Sequence, residues 1–198
     1  ETDRVTVNGG LVQYLKYEYY LLHKPAGCVS ATNDNVHQTV MDYIVSDRKK
    51  ELFPVGRLDL DTEGLLLITN DGDLAHRLLS PAKHVEKTYY AKIDGEVTET
   101  DVKQFLTGVD IGEEKLTRPA ELRILSSGVQ SEIELTICEG KFHQVKRMFH
   151  AVGKEVTYLK RISMGGLVLD ASLEKGQFRL LTKEEIEGLR GIEKRSAS

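Results

Sequence analysis

Apolar and polar positions change rhythm several times along this chain, and each change predicts an element. Tyr17 to Leu22 is aromatic and aliphatic and reads as a strand, broken by the Pro/Gly turn His23-Lys24-Pro25-Ala26-Gly27. Thr39 to Val45 predicts a short helix, and Leu52 to Val55 a strand. Leu65 to Thr69 is an apolar run of the kind found in buried strands. Asn70-Asp71-Gly72 is a turn, Asp73 is placed to cap a helix over Leu74 to Leu79, and Pro81 stops it. Lys87 to Ile93 and Ser131 to Ile137 read as strands, Phe142 to Val152 as a helix between Gly140 and Gly153, Glu155 to Ile162 as a strand, and Lys183 to Leu189 as a terminal helix. At the start, Arg4 to Val7 reads as a strand closed by the turn Asn8-Gly9-Gly10, a piece too small to form a core.

Many strands and a few helices without strict βαβ alternation predict an α+β domain around a mainly antiparallel sheet. The 198 residues suffice for one or two domains, and no repeat, low-complexity tract or linker divides them. Composition, 40% hydrophobic and 29% charged, disfavours disorder. Apolar runs such as Leu65 to Ile68 fall far short of the roughly 20 residues of a membrane helix, so the chain reads as soluble. Cys28 and Cys138 form no CxxC pair, and no secretory segment opens the chain; both read as reduced thiols of a cytoplasmic protein.

Charge changes the picture only when mapped. The 27 basic and 31 acidic residues give a net charge of -4, which argues against coating nucleic acid through charge alone. Yet Asp94 to Glu114 carries -6 and Lys141 to Arg161 carries +5. The predicted helix from Phe142 sharpens this. Val145, Met148, Phe149 and Val152 form a core stripe, and His143, Lys146, Arg147 and His150 a cationic stripe with no acid on the same helix. One binding face inside an acidic average is the footprint of a nucleic-acid enzyme; a solvated charged face is the plainer reading.

The second segment with chemistry is Gly56-Arg57-Leu58-Asp59-Leu60-Asp61-Thr62-Glu63-Gly64. If it is extended, Arg57, Asp59 and Asp61 project to one side while Leu58 and Leu60 anchor the other. Three readings follow. A calcium loop of the EF-hand type is opposed by Asn70 at the twelfth position, where a bidentate Glu is needed. Asp59 and Asp61 could be a glycosidase pair, or Asp59 could act alone as a nucleophilic or electrostatic carboxylate with Asp61 tying down the loop.

Gly56-Arg57-Leu58-Asp59-Leu60-Asp61-Thr62 with Leu66-x-x-Thr69-Asn70-Asp71-Gly72 closely resembles the signature of the RsuA-type ribosomal small-subunit pseudouridine synthases. The likeness extends to Leu22-x-Lys24-Pro25-x-Gly27, Ser80-Pro81, Glu86-Lys87-Thr88-Tyr89 and Glu139-Gly140-Lys141-Phe142-His143-Gln144-Val145-Lys146-Arg147-Met148, in family order from about Tyr17 to Leu189. It implies a pseudouridine synthase fold, a mainly antiparallel mixed sheet flanked by helices with the active-site cleft across the sheet. It also implies three parts: residues 1–12 as the end of an S4-type RNA-binding domain otherwise missing, 17–190 as the catalytic domain, and 191–198 as a flexible tail.

The activity so implied is isomerisation of a specific uridine to pseudouridine in 16S ribosomal RNA, with no cofactor or metal. Asp59 would be the catalytic carboxylate, Lys146 the cation that keeps it ionised, and Tyr89 the ring stacked on the target base. Arg57, Lys24, His143, Gln144 and Arg147 would contact RNA, while His76, His84 and Asp61 are expected to be structural. The implied partner is small-subunit rRNA, free or within an assembly intermediate, acted on by a cytoplasmic monomer without membrane association. The alternative is an RNA-binding ribosome-assembly factor with little or no catalysis.

Overall fold

Seven consecutive buried residues, Glu63–Thr69, form the strand around which half of the molecule is organised. The computed structural model describes residues 2–7 and 10–195, with side chains described for residues 16–191. In chain order the elements are β1 (Thr2–Val7), β2 (Gly10–Leu15), β3 (Tyr19–Lys24), β4 (Phe53–Pro54), β5 (Glu63–Thr69), α1 (Gly72–Leu79), β6 (Lys87–Asp94), α2 (Glu99–Thr107), β7 (Glu121–Ser126), β8 (Gln130–Ile137), α3 (Gln144–Ala151), β9 (Glu155–Met164), β10 (Leu167–Val168), β11 (Phe178–Leu180) and α4 (Lys183–Arg195). Short 3-10 turns cover Val40–Tyr43, Lys49–Glu51 and Pro81–Lys83.

β1 and β2 pair as a separate two-stranded sheet; the Asn8-Gly9 part of the expected turn lies outside the described residues. The main sheet has nine strands in the order β11-β3-β5-β9-β6-β8-β7, with β10 on β9 and β4 on β5. Among its pairings, β5 with β9 is parallel, and it is short: Glu63 opposite Lys160 and Gly64 opposite Arg161. This seam joins an antiparallel half built on β3 and β5 to one built on β6, β8 and β9.

β5 reads as an unbroken apolar run because both of its faces are covered. Leu65 and Leu67 pack with Leu74, Ala75 and Leu78 of α1 and Leu189 of α4. Leu66 and Ile68 pack on the other side with Val40, Met41, Ile44 and Cys28. In the other half, Ala91, Ile93, Ile133, Leu135 and Leu159 are covered on one face by Phe105 of α2 and by Val145, Met148 and Phe149 of α3.

Several expectations shift in detail. β3 begins at Tyr19 and runs through His23 and Lys24, so the turn starts only at Pro25. The α1 cap is Asp71 rather than Asp73: its buried Oδ1 accepts the Leu74 N–H at 3.0 Å while Oδ2 accepts the Tyr19 hydroxyl at 2.6 Å. α3 starts at Gln144, with His143 in the left-handed region at φ 48°. Helix α2 was not expected; its capping box of Thr98 and Asp101 lies in the segment read only for its acidity. α4 continues to Arg195, so most of the expected tail from residue 191 is helical, and residues 196–198 lie outside the described ones. Among the described residues, no helix is long and apolar enough to cross a membrane.

Candidate active site

The seam decides which side chains meet. The loop carrying Asp59 leads into β5 at the junction itself, and α3 precedes β9 and packs against Leu159 of that strand, next to the junction at Lys160 and Arg161. Gly64 makes the junction possible. At φ 108° its backbone lies against Arg161, and a Cβ there would sit 2.2 Å from the Arg161 carbonyl oxygen.

The loop before Gly64 is pinned from the segment that follows β3. Lys24 is fully buried, and its ammonium donates to the carbonyls of Thr62 at 2.8 Å, Pro25 and Asp59 at 3.0 Å, and Leu60 at 3.5 Å. Burial pushes its pKa down, opposed by the nearby acidic groups. The Gly27 N–H donates to the Leu60 carbonyl at 2.8 Å, and the Ser30 hydroxyl both accepts from the Leu58 N–H and donates to the Leu58 carbonyl, each at 3.0 Å. Leu58 is buried beside Tyr89 in the α3-side core. Leu60, expected to anchor the loop with Leu58, instead is 41% exposed, because a turn at Leu60–Asp61 closed by Thr62 N–H to Asp59 carbonyl rotates it outward.

This scaffold presents the Asp59 carboxylate to α3. The Lys146 ammonium lies 3.2 Å from Asp59 Oδ2 and 2.6 Å from Asp61 Oδ1, and His143 Nε2 lies 3.6 Å from Asp59 Oδ1. Partial burial alone would lower the Lys146 pKa; its hydrogen bond to Asp61 and the charges of both carboxylates outweigh this and raise it. For Asp61, burial works upward and Lys146 outweighs it, leaving that carboxyl below the usual range. Lys146 is thus held cationic between two carboxylates, and Asp61, expected only to tie down the loop, is a direct partner of that lysine.

The other expected site residues divide. Tyr89 sits in β6 directly across from Arg161, largely buried in the cluster that contains Leu58, and its hydroxyl forms no hydrogen bond with another described residue. Arg161 is 2% exposed; its Nε donates to the Leu65 carbonyl at 2.8 Å. Arg57 is exposed and forms no ion pair with a described residue. Lys24 and Gln144, both expected to touch RNA, are buried and used internally. Gln144 accepts from the Lys141 N–H at 2.9 Å and donates to Glu139 at 2.8 Å, which shapes the start of α3.

Arg147 is also engaged internally, donating to Glu113 at 2.8 Å and to the carbonyls of Phe142 and Ile111. The cationic stripe is therefore not the free face that the sequence suggests. Lys141 and Arg147 pair with Glu113, Lys154 pairs with Asp101, and His150 with Glu155. Three bases of the +5 segment thus find their counter-ions in Asp101 and Glu113 of the -6 segment. Exposed groups near Asp59 include Arg57, Leu60, Asp61 and His143, and beside His143 the ring of Phe142, for which no role was expected from sequence. A cavity of about 510 Å³ opens along the same side of α3, sharing His143 and Lys146 with the site and continuing past Arg147 to His150.

A carboxylate on a pinned loop, paired with a lysine beside an open cavity and an aromatic strand residue, is a site for acting on a polar substrate. Comparison with known proteins gives that site its class. Residues 18–151 match the family model described as RNA pseudouridylate synthase. The chain is 50% identical over 189 residues to the uncharacterized RNA pseudouridine synthase YtzG of Bacillus subtilis, covering 94% of this chain and 79% of that one. It is 45% identical over 169 residues to ribosomal small subunit pseudouridine synthase A of Escherichia coli, covering 85% and 72%. A solved pseudouridylate synthase superposes with TM-score 0.83 at 41% identity, covering 90% of this chain and 76% of that one. This chain belongs to the RNA pseudouridylate synthase family, and it has that family's fold and isomerase activity.

Proposed function

We propose that the enzyme converts a specific uridine of small-subunit ribosomal RNA to pseudouridine, with Asp59 as the reacting carboxylate, Lys146 as its charge partner and Tyr89 as the ring that stacks on the target base. The Lys146 ammonium 3.2 Å from Asp59 carries this reading. The ammonium sets a positive charge against the carboxylate, where it stabilises negative charge on the reacting group. An ionised Asp59 can add to the substrate or stabilise cationic character at C1′ while the N1–C1′ bond breaks. The uracil then turns, C5 bonds to C1′, the proton on C5 is released, and N1 takes one up, so the net change is an isomerisation.

Tyr89 fits the stacking role as an aromatic residue of the buried cluster that also holds Leu58, the residue next to Asp59. Base–aromatic stacking contributes about 1–3 kcal/mol, enough to offset part of the cost of drawing a uridine out of its surroundings. Lys24, Gln144 and Arg147 act behind the site by holding the Asp59 loop and the start of α3. The 16S assignment is supported by the small-subunit name of the Escherichia coli relative and by the His143-Gln144-Val145-Lys146-Arg147-Met148 segment. Its setting is the cytoplasm, where rRNA is made available.

Pseudouridine mapping of small-subunit rRNA from cells with and without the gene tests this. One modified uridine should vanish from small-subunit rRNA and return with the wild-type gene. Loss confined to large-subunit rRNA would refute the assignment. An assembly factor without chemistry would leave every pseudouridine in place.

A further inference from the structure

Phe142 is out of place for a residue of its kind. Its side chain is 75% exposed, the one aromatic among the exposed large hydrophobics of the described residues. Most of the gain from burying a Phe side chain is forgone here. Helical spacing carried back from Val145 and Phe149 would turn Phe142 inward; the helix instead starts at Gln144.

Defined bonds hold the chain in this outward course. The Gln144 side chain clamps Lys141 N–H to Glu139, and Arg147 Nη1 donates to the Phe142 carbonyl at 3.0 Å. The exposed ring is not loose either. It stacks on the His143 imidazole with centroids 3.7 Å apart and planes 21° from parallel. That imidazole in turn reaches Asp59 Oδ1 at 3.6 Å. One side of a two-ring stack thus abuts the reacting carboxylate, and the other is an open aromatic face.

We propose that Phe142, backed by His143, is a stacking site for an unpaired nucleobase adjacent to the target uridine. The inference rests on the RNA substrate proposed above and adds a second stacking position beside Tyr89. An aromatic face takes any base, since each has a π surface, so this subsite contributes grip without sequence choice. It also supplies what the α3 cations do not: Lys146 is paired with Asp59 and Asp61, Arg147 with Glu113 and His150 with Glu155, so stacking replaces free positive charge in holding the RNA strand at the site. His143 presents its edge to Asp59 and its face to Phe142, which ties the neighbouring base to the carboxylate.

The chain contains no tryptophan, so a Phe142→Trp variant has a single reporter at the subsite. Its fluorescence should be quenched on adding a small-subunit rRNA fragment that contains the modified uridine. In steady-state tritium release from the same fragment, Phe142→Ala should raise KM by about 5- to 150-fold, the range of one lost base stack, with Phe142→Tyr close to wild type. Replacing one nucleotide flanking the target with an abasic residue should cost wild type the same factor and cost Phe142→Ala little more. Unquenched fluorescence with an unchanged KM, or abasic and Phe142→Ala losses that multiply, would overturn the stacking site while leaving the activity standing. A wild type that neither binds nor modifies the fragment would overturn both.

Discussion

The Lys146 ammonium lies 3.2 Å from the Asp59 carboxylate, although one is carried by α3 and the other by the loop before β5. Their meeting depends on the parallel seam between β5 and β9, where the Asp59 loop enters the sheet beside the strand against which α3 packs. If the charge on Lys146 keeps Asp59 reactive, removing it should cost turnover more than binding. Lys146→Met is expected to lower kcat by about 10²-fold or more, the scale of a lost electrostatic stabiliser, with Lys146→Arg retaining a larger share. Single-turnover tritium release checks this; Lys146→Met within twofold of wild type would contradict it.

Asp61 shares the same lysine and sets its protonation. Its carboxyl is held below the ordinary 3.8 and Lys146 above the ordinary 10.5. The pair's contribution is therefore present between these values. It is lost at the acid end as pH falls through the folded-state value of Asp61, and at the alkaline end as pH rises through that of Lys146. Asp61→Asn removes the nearest carboxylate, so the Lys146 side chain should titrate at lower pH than in wild type. Carbon NMR of labelled lysine reads this directly, and an unmoved titration would refute it.

Lys24 should behave as a structural cation. Lys24→Met leaves buried carbonyls of Thr62, Asp59 and Pro25 without their donor, at a cost of about 2–4 kcal/mol. For a chain of this size that corresponds to a melting temperature lower by about 6–12 °C. Thermal unfolding measures it. An unchanged melting temperature would return Lys24 to the list of RNA contacts.

Gly64 is limited by space as well as by conformation. In Gly64→Ala the new methyl meets the Arg161 carbonyl oxygen at 2.2 Å, and the positive φ adds strain. Separation of β5 from β9 should follow, with a destabilisation of about 3 kcal/mol or more in urea unfolding and loss of the Asp59–Lys146 pair. Wild-type stability in this variant would show that the seam can open without harm.

The two thiols should differ. Cys28 is completely buried and its pKa is raised, chiefly by burial, whereas Cys138 is half-buried. Native protein should react at one thiol with a mild disulfide reagent and at two after unfolding. Two fast-reacting native thiols would contradict the packing around Cys28.

Hydrophobic rhythm made β5, β6, β8, β9 and α3 legible because each buries a continuous face or stripe. The seam was not legible, since only two residue pairs define it. α2 was hidden because it lies in a segment that draws the eye for its acids, although Glu99 and Asp101 are the two within the helix, and the partner of Asp101, Lys154, lies far along the chain. Asp59 and Lys146 could be named from the family signature, and the structure puts them together. The same signature suggested RNA contacts at Lys24 and Gln144, where the structure has buried clamps. Sequence type alone does not tell a polar group facing solvent from one satisfying backbone carbonyls. Phe142 stands in the same signature and at the start of the predicted helix, but nothing in the sequence shows that the helix begins two residues later and leaves the ring exposed.

The most direct test of the account is the activity of Asp59→Asn on rRNA carrying 5-tritiated uridine. The substitution keeps the size of the side chain and removes its charge, so the Lys24-pinned loop should remain in place. Tritium release should be abolished while the affinity for small-subunit rRNA stays within a few-fold of wild type. Retained turnover by Asp59→Asn would contradict the central role given to that carboxylate.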